Sequence, residues 1–157
     1  MTGWRIRLEP VIRPLMRLHW RRTRGMTLGV RGLALDSRGR VCLVRHTYMA
    51  GWHLPGGGVE RGETVWQAIE KEMREEAGVA LTGAPDLFHV YSNERKFSGD
   101  HIALFVVRDW SACPPEPGQE IAETRWFAPD ALPQDISPAT ARRIDEVLSG
   151  AAPEDEW

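Results

Sequence analysis

Residues 57–79 read GGVERGETVWQAIEKEMREEAGV, a run that opens on glycines, continues with helical spacing and stops at another glycine. The spacing predicts a helix from about Glu63 to Ala77, with Gly78 as its C-terminal stop. At about 100° per residue, Glu72 and Glu76 fall on the same face as Val65, Ile69 and Met73. Gln67, Glu70 and Arg74 lie opposite, and Glu75 flanks the inward acids. Acids that merely solubilise a surface do not belong on an inward face. Glu72 and Glu76 also form an i,i+4 like-charge pair, and Glu72 and Glu75 an i,i+3 pair, each unfavourable by roughly 0.2–0.5 kcal/mol. All three lie toward the negative end of the helix dipole, and burial adds a desolvation cost. A hard divalent cation, Mg²⁺ or Mn²⁺, reverses the sign of every one of these terms.

On the N-terminal side, Trp52-His53-Leu54-Pro55 leads into Gly56, Gly57 and Gly58, where a backbone without side chains approaches a ligand closely. No Gly-Lys-Ser/Thr follows, which excludes a Walker loop. Further upstream, Thr27–Leu35 and Arg40–Arg45 read as strands joined by an Asp36–Gly39 turn, a hairpin. Downstream, strands are expected at Leu87–Tyr91, His101–Val107 and Glu120–Phe127, the last after a proline-rich loop over 111–119. Ser137-Pro138 opens a second helix that runs to about Ser149. Strands on both sides of one central helix, with another helix at the end, give an α/β layered fold with a mixed sheet.

The 157 residues fit one domain, residues 26–150, between a basic arm over 1–25 and an acidic tail over 151–157 that is expected to be loose. The arm carries seven arginines against one acid, so the net charge of −2 conceals an acidic remainder. A short helix is expected over residues 11–22, docking on the acidic domain or on a second copy in a homodimer. The alternatives for such an arm are an anionic membrane surface or a polyanion, although no stable nucleic-acid complex is expected. No apolar run reaches the ~20 residues of a transmembrane helix, and no secretory signal is expected, because Met1 to Pro10 lacks the apolar stretch and small-residue cleavage site of one. Cys42 and Cys113 are too few for a disulfide framework, so a reducing cytoplasm is the expected compartment.

Taken together, residues 57–79 closely resemble the Nudix box, G-x5-E-x7-R-E-U-x-E-E-x-G-U, where U is a bulky aliphatic residue. Gly57, Glu63, Glu72, Met73, Glu75, Glu76, Gly78 and Val79 fall in register, eight of nine defined positions. The lead-in Trp52–Gly57 and the strand over 120–127 followed by Pro129-Asp130-Ala131-Leu132 are also similar to the family's pattern. One position departs: Lys71 stands where the family has arginine, which keeps the charge but loses the planar fork. At i+4, Lys71 is expected to reach Glu75.

The resemblance implies a Nudix-like α/β/α sandwich and metal-dependent hydrolysis of a phosphoanhydride in a nucleoside diphosphate linked to another moiety. It implies Glu75 and Glu76 as first-choice ligands of Mg²⁺ or Mn²⁺, completed by Glu72 and the Gly57 carbonyl. Glu63 and Lys71 would organise the cluster, and Glu72 or Glu120 would be the general base. Residues for substrate binding are sought outside the box among Arg45, His46, Tyr48 and Trp52, of which Arg45 is assigned to phosphate and Trp52 to stacking on a base. The competing readings are a sanitiser of oxidised nucleoside triphosphates and a Nudix-fold module that binds nucleotides without cutting them. The second of these typically lacks metal-ligating glutamates, whereas all three are present here.

Overall fold

A computed structural model describes residues 25–114 and 120–157. In chain order the elements are β1 (Thr27–Ala34), β2 (Val41–His46), α1 (Val65–Ala77), β3 (Val79–Leu81), β4 (Asp86–Ser92), β5 (Asp100–Val107), β6 (Trp110–Ala112), β7 (Ile121–Phe127) and α2 (Pro138–Ser149). β5 runs parallel to β1 and antiparallel to β4, which makes the largest sheet a mixed one. β2 pairs antiparallel with β7, and β3 with β6. The short helix expected over residues 11–22 lies outside the described residues.

Strand alternation sorts the apolar side chains onto two faces. Val30, Ala34, Cys42, Ala103, Phe105 and Val107 pack with Ala68, Ile69 and Met73 of α1. Their neighbours Leu33, Val41, Leu43 and Leu104 turn the other way, toward Trp52, Leu54, Tyr91 and Ile144 of α2. The strands therefore lie between two helices, the α/β/α sandwich. α1 approaches β1 directly at Gly32, where any Cβ would run into the Met73 sulfur.

Both ends of α1 are chemically fixed. Thr64 caps it, its side chain accepting from the Gln67 N–H while the Gln67 side chain accepts from the Thr64 N–H. Gly78 closes it in the left-handed region at φ 65°, a conformation that costs glycine nothing.

Two expectations need correction. β1 and β2 are not a laddered hairpin. The Asp36 turn joins them and Leu35 bridges Val41, but β1 then pairs with β5 and β2 with β7. The C-terminal tail is not loose either. It lies beside the edge of β4, with the Ser92 N–H donating to Asp155 O and the Trp157 N–H donating to Ser92 O. Beneath it, the fully buried Arg143 donates to Glu146, Glu154 and the carbonyl of Glu156, and its guanidinium lies 4.4 Å from the centre of the Tyr91 ring. Trp157 meets the same ring edge-on. The tail thus adds a second carboxylate, Glu154, and a backbone acceptor to a buried arginine that α2 itself pairs with Glu146.

Candidate active site

The segment from Gly51 to Val59 ties the strand pairs together. The His53 N–H donates to Val44 O and the His53 carbonyl accepts the Val44 N–H in return, which fastens the segment to β2. Farther along it runs against β1: Gly32 N–H donates to Pro55 O, Val30 N–H to Gly57 O at 2.8 Å, and Val59 N–H to Leu28 O. Gly56, at φ 146°, is so close to β1 that a Cβ would collide with Val30 O and come within 2.9 Å of the Arg31 Cα. Only glycine fits there. The glycine run is thus a backbone strip between β1 and the acids of α1.

Two of the box acids face this strip. Glu76 is 8% exposed, and its Oε2 accepts the Gly56 N–H at 2.8 Å. Glu72 packs on Gly57, where a Cβ would stand 2.6 Å from Glu72 Oε1. Burial pushes the Glu76 carboxyl up to about 7, and the nearby Glu72 and Glu120 add to the rise against the Gly56 N–H and Arg31. Burial likewise raises Glu72; Lys71 opposes the rise and Glu75 adds to it. The pocket holds more negative charge than it neutralises.

Lys71 Nζ stands 3.1 Å from Glu63 Oε1 and 3.6 Å from Glu72 Oε1. The expected contact with Glu75 is replaced, because Glu63 returns from the loop to the same side of the helix. Glu63 in turn accepts the Glu60 N–H, which with Lys71 holds its carboxyl below the usual range. Burial alone would lower the Lys71 ammonium, but Glu63 and Glu72 outweigh it and raise its pKa. Glu75 is turned further outward and pairs with Arg74 at 3.6 Å. Among the described residues, no three acids, imidazoles or thiols converge on one point in metal-ligating geometry. The acids are neighbours without forming a closed cage.

Three further groups line the same cleft. His46 is 7% exposed, and its Nδ1 has no hydrogen-bond partner, with Glu76 Oε1 3.9 Å away. Burial, His53 and Arg31 lower its pKa, against the pull of Glu120. Tyr48 stacks at a tilt on His46, with ring centres 5.2 Å apart, and is raised by burial, then by Glu120 and Glu76. Arg31 projects from β1; burial lowers its pKa while Glu76, Glu72, Tyr48 and Asp100 work in the other direction. Nothing in the sequence analysis marked Arg31. The available signal was a lone charge within an otherwise apolar strand, TLGVRGLA.

The expected site residues therefore divide. Glu63, Lys71, Glu72, Glu76, the Gly57 backbone and the electrostatic influence of Glu120 meet in one place, and Glu120 O also accepts the Thr47 N–H. Trp52 is corrected. Trp52 is 2% exposed and packs edge-on against Phe127 in the second core, which leaves no face for a base. The Arg45 guanidinium lies 4.7 Å from the centre of the Trp52 ring and pairs with Asp135 at 2.8 Å, both side chains remaining exposed. No described helix is long and apolar enough to cross a membrane.

Comparison with known proteins gives this arrangement a family. The model of the NUDIX domain matches residues 25–147. A MutT-like protein of Streptomyces ambofaciens is 28% identical over 132 residues, spanning 81% of this chain and 80% of its own. A putative 8-oxo-dGTP diphosphatase of Bacillus subtilis is 27% identical over 125 residues, spanning 80% and 82%. Among solved structures, a MutT NUDIX hydrolase from Burkholderia pseudomallei superposes with a TM-score of 0.67 at 25% identity, over 78% of this chain and 98% of that one. With its glycine strip, its capped helix and the inward acids of that helix, the chain belongs to the Nudix family and is a Nudix-type pyrophosphohydrolase.

Proposed function

We propose that the cleft hydrolyses a phosphoanhydride bond in a nucleoside diphosphate linked to a second moiety, with Mg²⁺ or Mn²⁺ held by Glu72, Glu76, Glu75 and the Gly57 carbonyl. The observation that carries this reading is Glu76, a buried carboxylate driven up to about 7 by its surroundings while accepting one backbone hydrogen bond. Hard oxygen donors with excess negative charge fit a divalent cation. Glu75 would join the set by leaving Arg74, a small change for a partly exposed side chain. Once bound, the ion supplies charge neutralisation at the phosphate oxygens and a more acidic water.

The remaining work falls to the chain itself. Lys71 and Glu63 hold Glu72 at the glycine strip. Glu120 is exposed, and its carboxylate accepts no hydrogen bond among the described residues, so it is the better placed of the two proton acceptors. Glu72 is already committed to Lys71 and to its packing on Gly57.

The similarity to a protein named as a putative 8-oxo-dGTP diphosphatase favours one second reading, hydrolysis of oxidised nucleoside triphosphates. A panel of nucleotide sugars, ADP-ribose, dinucleoside polyphosphates and oxidised triphosphates, assayed with Mg²⁺ or Mn²⁺ by phosphatase-coupled phosphate release, decides between them. Metal-stimulated cleavage of a diphosphate derivative, abolished in Glu76→Gln, is the expected result. Full turnover in Glu76→Gln removes the ligand assignment.

A further inference from the structure

We propose that Arg31 of β1 is a phosphate-binding residue of the cleft, donating to oxygens of the substrate's diphosphate from the side opposite the glutamates. The inference rests on the reading of the cleft given above and adds to it a specific recognition group. Arg31 and Glu76 are separated by a single residue of backbone. Gly56 presses its Cα side against the Arg31 Cα and gives its N–H to Glu76. Arg31 Nη1 donates to Val30 O, the carbonyl on which Gly56 packs, so the guanidinium lies beside the glycine whose N–H Glu76 accepts and feels Glu76 and Glu72 from there.

Its donors are largely unspent. A guanidinium has five N–H groups, and among the described residues only Nη1 is engaged, with Val30 O at 2.9 Å. An arginine that served simply as counter-ion to Glu72 and Glu76 would be expected to clasp one of them. Neither stands within ion-pair distance of Arg31, whereas Lys71 does contact Glu72. A planar fork with free donors, facing acids that it does not touch, is suited to an anion placed between them.

A second, independent observation points the same way. The His46 Nδ1 is buried, unpaired and separated from Glu76 Oε1 by 3.9 Å, too long for a hydrogen bond. Buried polar atoms are seldom left without partners, so this gap asks for a ligand or water oxygen. Arg31 and His46 also feel one another electrostatically, so the unpaired nitrogen and the guanidinium belong to one neighbourhood around Glu76. In a diphosphate, some oxygens would turn to the acids through the metal, and the others need N–H donors. Arg31 is the cation that reaches them.

The test uses the full chain and inorganic pyrophosphate as probe. Calorimetry gives its affinity, and inhibition kinetics give its Ki against whichever compound the wild-type enzyme cleaves. Arg31→Gln is expected to weaken pyrophosphate binding and raise KM by about tenfold or more, the usual effect of losing charge-assisted hydrogen bonds. Mn²⁺ affinity without substrate, read by electron paramagnetic resonance, should stay unchanged or tighten, because a neighbouring positive charge has gone. Arg31→Lys keeps the charge but not the fork, should fall between the two, and carries the comparison if Arg31→Gln does not fold. Pyrophosphate affinity and KM within twofold of wild type in either folded variant would overturn the proposal. Because the pyrophosphate measurement needs no turnover, it also separates failure of this assignment from failure of the hydrolase reading, in which wild-type protein cleaves nothing.

Discussion

Gly57 and Glu72 are in van der Waals contact across the mouth of the cleft, so close that a methyl group at position 57 would stand 2.6 Å from Glu72 Oε1. The glycine is needed because a carboxylate occupies the place of its side chain. Gly57→Ala must therefore displace Glu72 or the strip, and displacement of a reacting group by about 1 Å costs about 10²-fold in rate. We expect kcat to fall on that order with thermal stability nearly kept, since Gly57 does not lie in the left-handed region. Near wild-type kcat in the alanine variant would show that Glu72 takes no part in positioning the reacting groups.

Glu76 makes the metal-free protein sensitive to pH in a direction opposite to that of most native carboxylates. Its folded pKa of about 7 lies above the ordinary 4.5, so the native state holds the proton more tightly than the unfolded chain. Stability from this group is thus fully present below pH 4.5 and is lost as pH rises toward 7, amounting to about 3 kcal/mol over the whole window. Asp36, Glu63 and Glu94, whose pKa values are lowered, act in the reverse sense, so the test is a difference between proteins. Glu76→Gln in metal-free buffer should gain stability relative to wild type as pH climbs from 4.5 to 7, measured by urea denaturation. A difference that does not vary with pH would mean that Glu76 ionises normally.

Lys71 reaches both Glu63 and Glu72, but only through a single ammonium group. Replacement by arginine offers a fork to the same two carboxylates. The pair is partly exposed, so the gain is bounded at roughly 1 kcal/mol, about fivefold. Lys71→Arg should tighten Mn²⁺ binding by up to about that factor, measured by electron paramagnetic resonance, and Lys71→Met should weaken it. Equal Mn²⁺ affinities in all three proteins would leave the lysine without a role in ordering the acids.

The helix and its acids were legible in the sequence because periodicity and glycine stops are local properties, and Gly78 and the inward Glu76 follow from them, while the start lies at Val65 behind the Thr64 cap and not at Glu63. Strand partners were not. An apolar run such as Thr27–Ala34 states that it is buried but not that its mate is the distant β5 and not the adjacent β2. The burial of Trp52 is hidden in the sequence for a related reason. A tryptophan before a glycine loop looks the same whether it faces a ligand or the core, and only the packing of Phe127 against it decides. Arg31 escaped notice because its importance arises from Gly56, which is distant in sequence and brought alongside by the fold.

The C-terminal tail offers the sharpest stability test, because it satisfies a charge that the core cannot leave alone. Arg143 is fully buried, and the tail supplies two of its acceptors, Glu154 Oε2 and Glu156 O, while Trp157 covers Tyr91 beside it. Glu146, bonded to both Arg143 and the Tyr91 hydroxyl, remains as the sole charged partner after truncation at Gly150. Removing partners from a buried ion pair costs about 3–5 kcal/mol, and water entering the opened edge offsets part of it. About 3 kcal/mol in a chain of this size lowers Tm by roughly 6–12 °C. Because the tail lies against β4 and α2, away from the glutamates of α1, kcat of the folded truncated protein at low temperature should match wild type. Differential scanning calorimetry of chains ending at residue 150 and at 157 checks this, and a Tm difference of about 1 °C or less would show that Arg143 is satisfied without the tail.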